Sequence, residues 1–196
     1  MKRWFCCLIG VSLCFFLCSN YASADNPLPG KGSVLPEIRL AVPTIPAHRT
    51  YLGISGSESF TIPDIKAEVV IIEIFSMYCP HCQREAPSVN ELYRIIENNP
   101  HAQGKVKLIG IGVGNDTFEV EFFKNKYDIP FPLFADEDYV IHKQLGKPNT
   151  PFFIGVRIKD GGAHEVSYTQ LGGFERADEF LDLILRESGL KGGEQR

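Results

Sequence analysis

Val69-Val70-Ile71-Ile72-Glu73-Ile74-Phe75-Ser76-Met77-Tyr78-Cys79-Pro80-His81-Cys82 sets a nearly uninterrupted apolar run, rich in β-branched residues, directly before two cysteines three positions apart. Such a run suits a central parallel strand covered on both faces. Beyond the cysteines Val89, Leu92, Ile95 and Ile96 recur at helical spacing until Asn99-Pro100 stops them. A strand ending at about Ser76 and a helix starting at about Pro80 place Cys79 at the helix N-terminus. There, unpaired backbone N–H groups and the helix dipole stabilise a thiolate. Pro80 fits the first helical turn because it needs no N–H partner. Cys82, on the same side, can attack a mixed disulfide at Cys79, so Cys79 is the expected nucleophile and Cys82 the resolving thiol.

Two other uses of the pair compete with redox chemistry. As a structural staple, a disulfide closing a loop of about four residues stabilises by only about 2 kcal/mol, against about 3 for a loop of fifteen. As a metal clip, Cys79, His81 and Cys82 offer three donors, while His48, His101, His142 and His164 are scattered and complete no ligand spacing. A copper or zinc chaperone therefore stays as a reading from a different class. Within the redox reading, the His81 imidazole could donate to the Cys79 thiolate and make the disulfide more oxidising; its plain alternative is a solvated helix-start histidine. Glu73, in the middle of an apolar strand, should be desolvated, raised in pKa and suited to accept a proton from a buried thiol, unless it escapes at a sheet edge. Glu85, three residues after Cys82, is a second candidate base or a solvated helix carboxylate.

Working outward, Val106 to Val113 is a second strand closed by Gly114-Asn115, and Asp116 to Asp128 a helix with Asp116 and Glu119 spaced as a capping box. Phe131 to Phe134 is a short strand and Asp136 to Leu145 a helix ended by Gly146. Phe152 to Arg157 and Val166 to Leu171 flank Asp160-Gly161-Gly162 as a β-hairpin. Ala177, Phe180, Leu181, Ile184 and Leu185 follow one buried helical face, with Gly189 as its cap. Upstream, residues 34 to 65 look like short extended pieces interrupted by Pro43 and Pro46 and turned at Gly53 and Gly56. The alternation gives a mixed α/β domain over residues 34–190, with 25–33 a flexible lead-in and 191–196 a polar tail.

The N-terminus bears on compartment. Lys2 and Arg3, an apolar run from about Trp4 to Leu17, and Ala22-Ser23-Ala24 have the layout of a secretory signal peptide over residues 1–24. An uncleaved anchor and a lipoprotein are the alternatives, although Leu13 and Leu17 stand before Cys14 and Cys18 where a lipid-attachment signal usually has a small residue. Four of the six cysteines lie in this segment, which leaves Cys79 and Cys82 alone in the mature chain and argues against a disulfide framework. The formal net charge of −4 and the lack of a basic cluster give no reason to propose nucleic acid as a partner.

Taken together, these residues resemble the thioredoxin superfamily. Cys79-Pro80-His81-Cys82 follows a buried strand, Glu73 matches the family's buried acidic position, and Pro87 matches the proline that bends the active-site helix. Thr150-Pro151 matches the loop whose cis proline lies against the active site. The likeness covers roughly residues 32 to 188. Gly32-Ser33-Val34-Leu35-Pro36 with Ile38 and Leu40 resembles the opening hairpin of the TlpA/ResA branch, and Thr61 to Ile65 the segment leading into its first central strand. About Lys105 to Leu145 is similar to the strand-helix insertion shared by that branch and peroxiredoxins. Glu85 matches the acidic residue that ResA-like proteins place near their cysteines. Three features depart: Tyr78 stands where the branch has Trp, residues 41–57 are longer than the usual connection, and the Pro-His dipeptide is the one associated with DsbA-type oxidases. The peroxiredoxin motif is broken at Ser76, where a Thr would stand.

The resemblance implies a thioredoxin-like fold with an N-terminal β-hairpin extension and a central strand-helix insertion of the TlpA/peroxiredoxin type. It implies an exported, periplasmic thiol-disulfide oxidoreductase of TlpA type, a monomer with no cofactor beyond a redox-active Cys79–Cys82 disulfide. Glu73 and Glu85 would manage protons, with Tyr78, Pro80, Thr150 and Pro151 contacting substrate. Protein thiols or disulfides would be the substrates, and a redox partner protein, membrane-bound or not, would supply or take electrons. Reduction of thiols destined for haem attachment in cytochrome c maturation is one role it suggests; a DsbA-like oxidase or isomerase is the alternative within the same chemistry.

Overall fold

The computed structural model describes residues 26–190 apart from residue 57. The signal segment and the polar tail expected from the sequence lie outside the described residues. Within the described residues a five-stranded sheet forms the centre. Its strands are β3 (Val69–Phe75), β4 (Val106–Val113), β5 (Leu133–Asp136), β6 (Phe152–Ile158) and β7 (His164–Leu171), in the order β5-β4-β3-β6-β7. β3, β4 and β5 run parallel, while β6 and β7 are antiparallel to their neighbours.

β3 has a strand on each side and is buried at every residue, as its continuous apolar run requires. Its alternation divides the core. Val70, Ile72 and Ile74 point to a face covered by N-terminal residues such as Leu35, Leu52 and Phe60 together with Ile141 and Leu145. Val69, Ile71 and Phe75 point to the opposite face, against α2 (Pro80–Asn98), α3 (Thr117–Lys126) and α5 (Ala177–Glu187). Glu73 shares that second register. On β4, Gly112 lets the neighbouring chain approach: a Cβ there would lie 2.9 Å from Val120 and 3.2 Å from the Asn115 side-chain oxygen.

The N-terminal antiparallel pair joins β1 (Arg39–Ala41) to β2 (Ser59–Thr61). Its connection is not the extended, turn-broken chain expected for 34–65, since it contains the helix α1 (Pro46–Leu52). Pro46 opens this helix at a position where no N–H is needed, and Gly53, at φ 68°, closes it. With Leu52 its one buried residue, α1 carries no apolar period to detect. Residues 26–33, expected as a flexible lead-in, are held instead: Gly32 N–H donates to the Val166 carbonyl, and Val166 N–H to that of Ser33, both at 2.8 Å.

Two further boundaries move. β5 begins at Leu133, not Phe131, because Pro132 lacks the ladder donor. α4 (Val140–Gln144) begins later than Asp136 because the Asp136 carboxylate turns the chain, accepting from the N–H groups of Ile141 and His142 at 3.0 and 2.9 Å.

Candidate active site

Cys79 is the N-cap of α2, with extended backbone and Pro80 in the first turn. Its sulfur accepts the N–H of Cys82 at 3.5 Å and lies 3.3 Å from the Thr150 carbonyl oxygen, to which the thiol donates. Burial acts to raise the Cys79 thiol. Hydrogen bonding to the Thr150 side chain, to Cys82 and to the backbone of His81 outweighs it, so the pKa falls below the ordinary value. Cys82, one turn along, is fully buried. Burial pushes its thiol far above the ordinary range, helped by Cys79 and the charge of Glu73 and opposed by a Ser76 backbone hydrogen bond. The site therefore holds one accessible, acidic thiol beside one buried, reluctant thiol.

Glu73 is 3 % exposed on the central strand, which rules out escape at a sheet edge. Desolvation, followed by the charges of Glu85 and Cys79, pushes it up to about 8. Of the residues expected to carry substrate, Thr150 and Pro151 line one cleft, while Tyr78 and Pro80 are not among its lining residues. The Thr150–Pro151 peptide is cis, and a cleft of about 270 Å³ beside it is lined in part by His81, Arg84, Glu85, Thr150, Pro151 and Leu171. Tyr78 is 62 % exposed, and its hydroxyl donates to Glu119 on α3.

Two side chains do not sit where the sequence placed them. The His81 ring turns from Cys79 to Arg84: its Nδ1 lies 2.9 Å from the guanidinium. A guanidinium only donates, so Nδ1 accepts, and what reaches the sulfur from this residue is its backbone N–H. The Glu85 carboxylate accepts the N–H of Phe174 at 3.0 Å, tying α2 to the loop after β7. Gly173 makes this approach possible, because a Cβ there would fall 2.1 Å from the carboxylate. Glu85 acts on the site through its charge at Glu73.

Sequence reasoning missed the residues that grip the turn before Cys79. Asn115 Oδ1 accepts the Met77 N–H at 2.8 Å, and Gln83 Nε2 donates to the Met77 carbonyl at 2.7 Å. An amide in a Gly-Asn-Asp turn has many local uses, so its long-range partner left no signal. Among the described residues, no group of three or more His, Cys, Asp or Glu is placed to hold a metal ion, and no helix is long and apolar enough to cross a membrane.

Comparison with known proteins agrees with this geometry. The AhpC/TSA family matches residues 42–168, from the end of β1 into β7. A thiol-disulfide oxidoreductase ResA of Halalkalibacterium halodurans is 25% identical over 67% of this chain and 70% of its own length. One of Geobacillus thermodenitrificans is 30% identical over 47% of this chain, which spans about half, 52%, of that relative. The crystal structure of StoA from Bacillus subtilis superposes with a TM-score of 0.54 at 19% identity, covering 76% of this chain and 98% of that one.

Proposed function

Because the chain belongs to the AhpC/TSA family and has the TlpA/ResA-like thioredoxin fold, we propose that this thiol-disulfide oxidoreductase works as an exported reductase of protein disulfides. The Cys79 thiolate attacks one sulfur of a substrate disulfide, forming a mixed disulfide and releasing the other sulfur as a thiolate that takes up a proton. Cys82 then gives up its proton and attacks the Cys79 sulfur. The second substrate thiol leaves, and the protein is left with a Cys79–Cys82 disulfide. Two electrons have passed to substrate, and a partner redox protein restores the dithiol. No cofactor beyond this cysteine pair enters the cycle.

The observation that carries the reading is the asymmetry of the pair under Thr150–Pro151: a lowered, accessible Cys79 for attack and a raised, buried Cys82 that waits for the mixed disulfide. Glu73, on the same buried face and pushed up to about 8, is mostly protonated at neutral pH, and its ionised fraction is suited to take the Cys82 proton. The reductive direction is supported by His81, whose ring accepts from Arg84 instead of donating to Cys79. A thiolate without that donor is less stabilised, and the pair is correspondingly less oxidising. Disulfides between cysteines destined for haem attachment are the substrates we assign to this reductase.

The test is the equilibrium reduction potential of the pair, measured by thiol trapping in glutathione buffers. A value below about −220 mV is expected. A value near about −120 mV would reverse the direction of electron flow and make the protein a DsbA-like oxidase.

A further inference from the structure

The strand-helix unit formed by β4 and α3 reaches the active site through the turn that precedes Cys79. Ser76 to Cys79 is closed by the Cys79 N–H donating to the Ser76 carbonyl at 3.0 Å. Inside it, the Met77 peptide groups are held from two directions: Asn115 Oδ1 accepts the N–H, and Gln83 Nε2 on α2 donates to the carbonyl. Asn115 is completely buried. Its Nδ2 is spent on the Gly114 carbonyl at 3.2 Å and on Glu119 Oε2 at 3.4 Å, so Oδ1 faces Met77 in a fixed orientation. Glu119 closes the N-terminus of α3 by accepting the Asp116 N–H at 3.0 Å, and its other oxygen takes the Tyr78 hydroxyl. Two consecutive residues before the cysteine are thus tethered to α3.

We propose that Asn115 is a positioning residue for the attacking sulfur of Cys79, acting by fixing the Met77 peptide. The proposal rests on the reading of Cys79 as the attacking thiol. The Cys82 N–H reaches this sulfur at 3.5 Å, and the thiol lies 3.3 Å from the Thr150 carbonyl, to which it donates when protonated. A turn free to shift carries the sulfur out of line with the N–H groups of Cys82 and His81, and such contacts weaken with distance and angle. The thiolate then loses the Cys82 and His81 N–H donors that help hold its pKa down.

Asn90 provides a matched control. It is also a buried amide that joins α2 to the α3 region, donating to the Tyr127 carbonyl at 2.8 Å, and it touches no part of the active-site turn. The experiment follows the rate of iodoacetamide alkylation of the reduced protein against pH for the wild type, Asn115→Ala and Asn90→Ala, with thermal stability measured in parallel. The expected result is an upward shift of the Asn115→Ala midpoint by about one pH unit, seen as roughly tenfold slower alkylation below both midpoints. Asn90→Ala should lose stability and keep the wild-type midpoint.

Coincident midpoints for Asn115→Ala and wild type, or an equal shift in Asn90→Ala, overturn the proposal. If Asn115→Ala does not fold, Gln83→Ala decides, since it frees the other end of the same peptide from a half-buried helix position. An upward shift there supports the clamp, and a wild-type midpoint sinks it. A wild-type midpoint at or above that of a free cysteine, about 8.5, would instead remove the premise that Cys79 is the attacking thiolate.

Discussion

Cys79 and Cys82 are the same residue type one helical turn apart, yet the rim and the floor of the site treat them in opposite ways. At the rim, Cys79 caps α2, meets backbone N–H groups and Thr150, and is only partly buried. At the floor, Cys82 is buried in the hydrophobic cluster that also holds Phe75 and Ala86, on the face of the sheet that carries Glu73. Hydrogen bonds win at the rim because burial there is partial. Desolvation wins at the floor because a buried thiolate has too few donors to replace water. A three-residue step along a helix start is enough to cross from one regime to the other, and that step separates an attacking thiol from one that resolves.

The most severe break of this contrast is substitution of either sulfur. Cys79→Ser is expected to lower disulfide reduction by about 10³-fold or more, since a hydroxyl replaces the nucleophile. Cys82→Ser should leave the first attack intact and accumulate a mixed disulfide with substrate, visible as a reducible higher-mass band. Accumulation on the Cys79→Ser protein instead would exchange the two roles.

The floor can be sharpened through Glu73. Its folded pKa of about 8 lies above the ordinary 4.5, so the folded state holds this proton more tightly than the unfolded chain does. The resulting stabilisation is complete below pH 4.5 and is lost as pH rises through about 8. Urea unfolding of the reduced protein should therefore show wild type losing a few kcal/mol relative to Glu73→Gln between acid and mildly alkaline pH. Parallel curves for the two proteins would mean that the carboxylate is solvated.

The rim and floor can then be compared directly. In the native reduced protein at neutral pH, iodoacetamide should modify Cys79 on the order of a hundredfold faster than Cys82, as mass-mapped peptides report, because each pKa unit is a factor of ten in thiolate. Equal labelling would erase the distinction. The smallest effect is expected at His81: His81→Ala keeps the backbone N–H and loses only the contact with Arg84. The Cys79 alkylation rate should stay within about twofold of wild type, against the tenfold that one pKa unit represents. A larger drop would show that the imidazole reaches the sulfur in solution.

Much of the site was legible in local sequence. The apolar run at 69–75, the cysteines at a helix start, the Asp116–Glu119 capping box and the final amphipathic helix each announce themselves within a turn or two, because their causes are local. Glu73 was legible as an anomaly, and its burial follows from β3 lying between β4 and β6. The short helix α1 was not, since one buried leucine makes no period.

What the sequence by itself determined is the mixed α/β domain, the central strand, and the pair of thiols at the start of a long helix. These depend on periodicity, turn residues and the geometry of a helix end. Only the tertiary structure decided where the side chains around the thiols go. It turned His81 to Arg84, spent Glu85 on Phe174, and brought Asn115 from 38 residues away to the Met77 peptide. A polar side chain has several partners of similar energy; for Glu85 and Asn115 packing of the sheet against α2 and α3 chooses among them by excluding water, while for the exposed His81 the spacing along α2 brings Arg84 within reach.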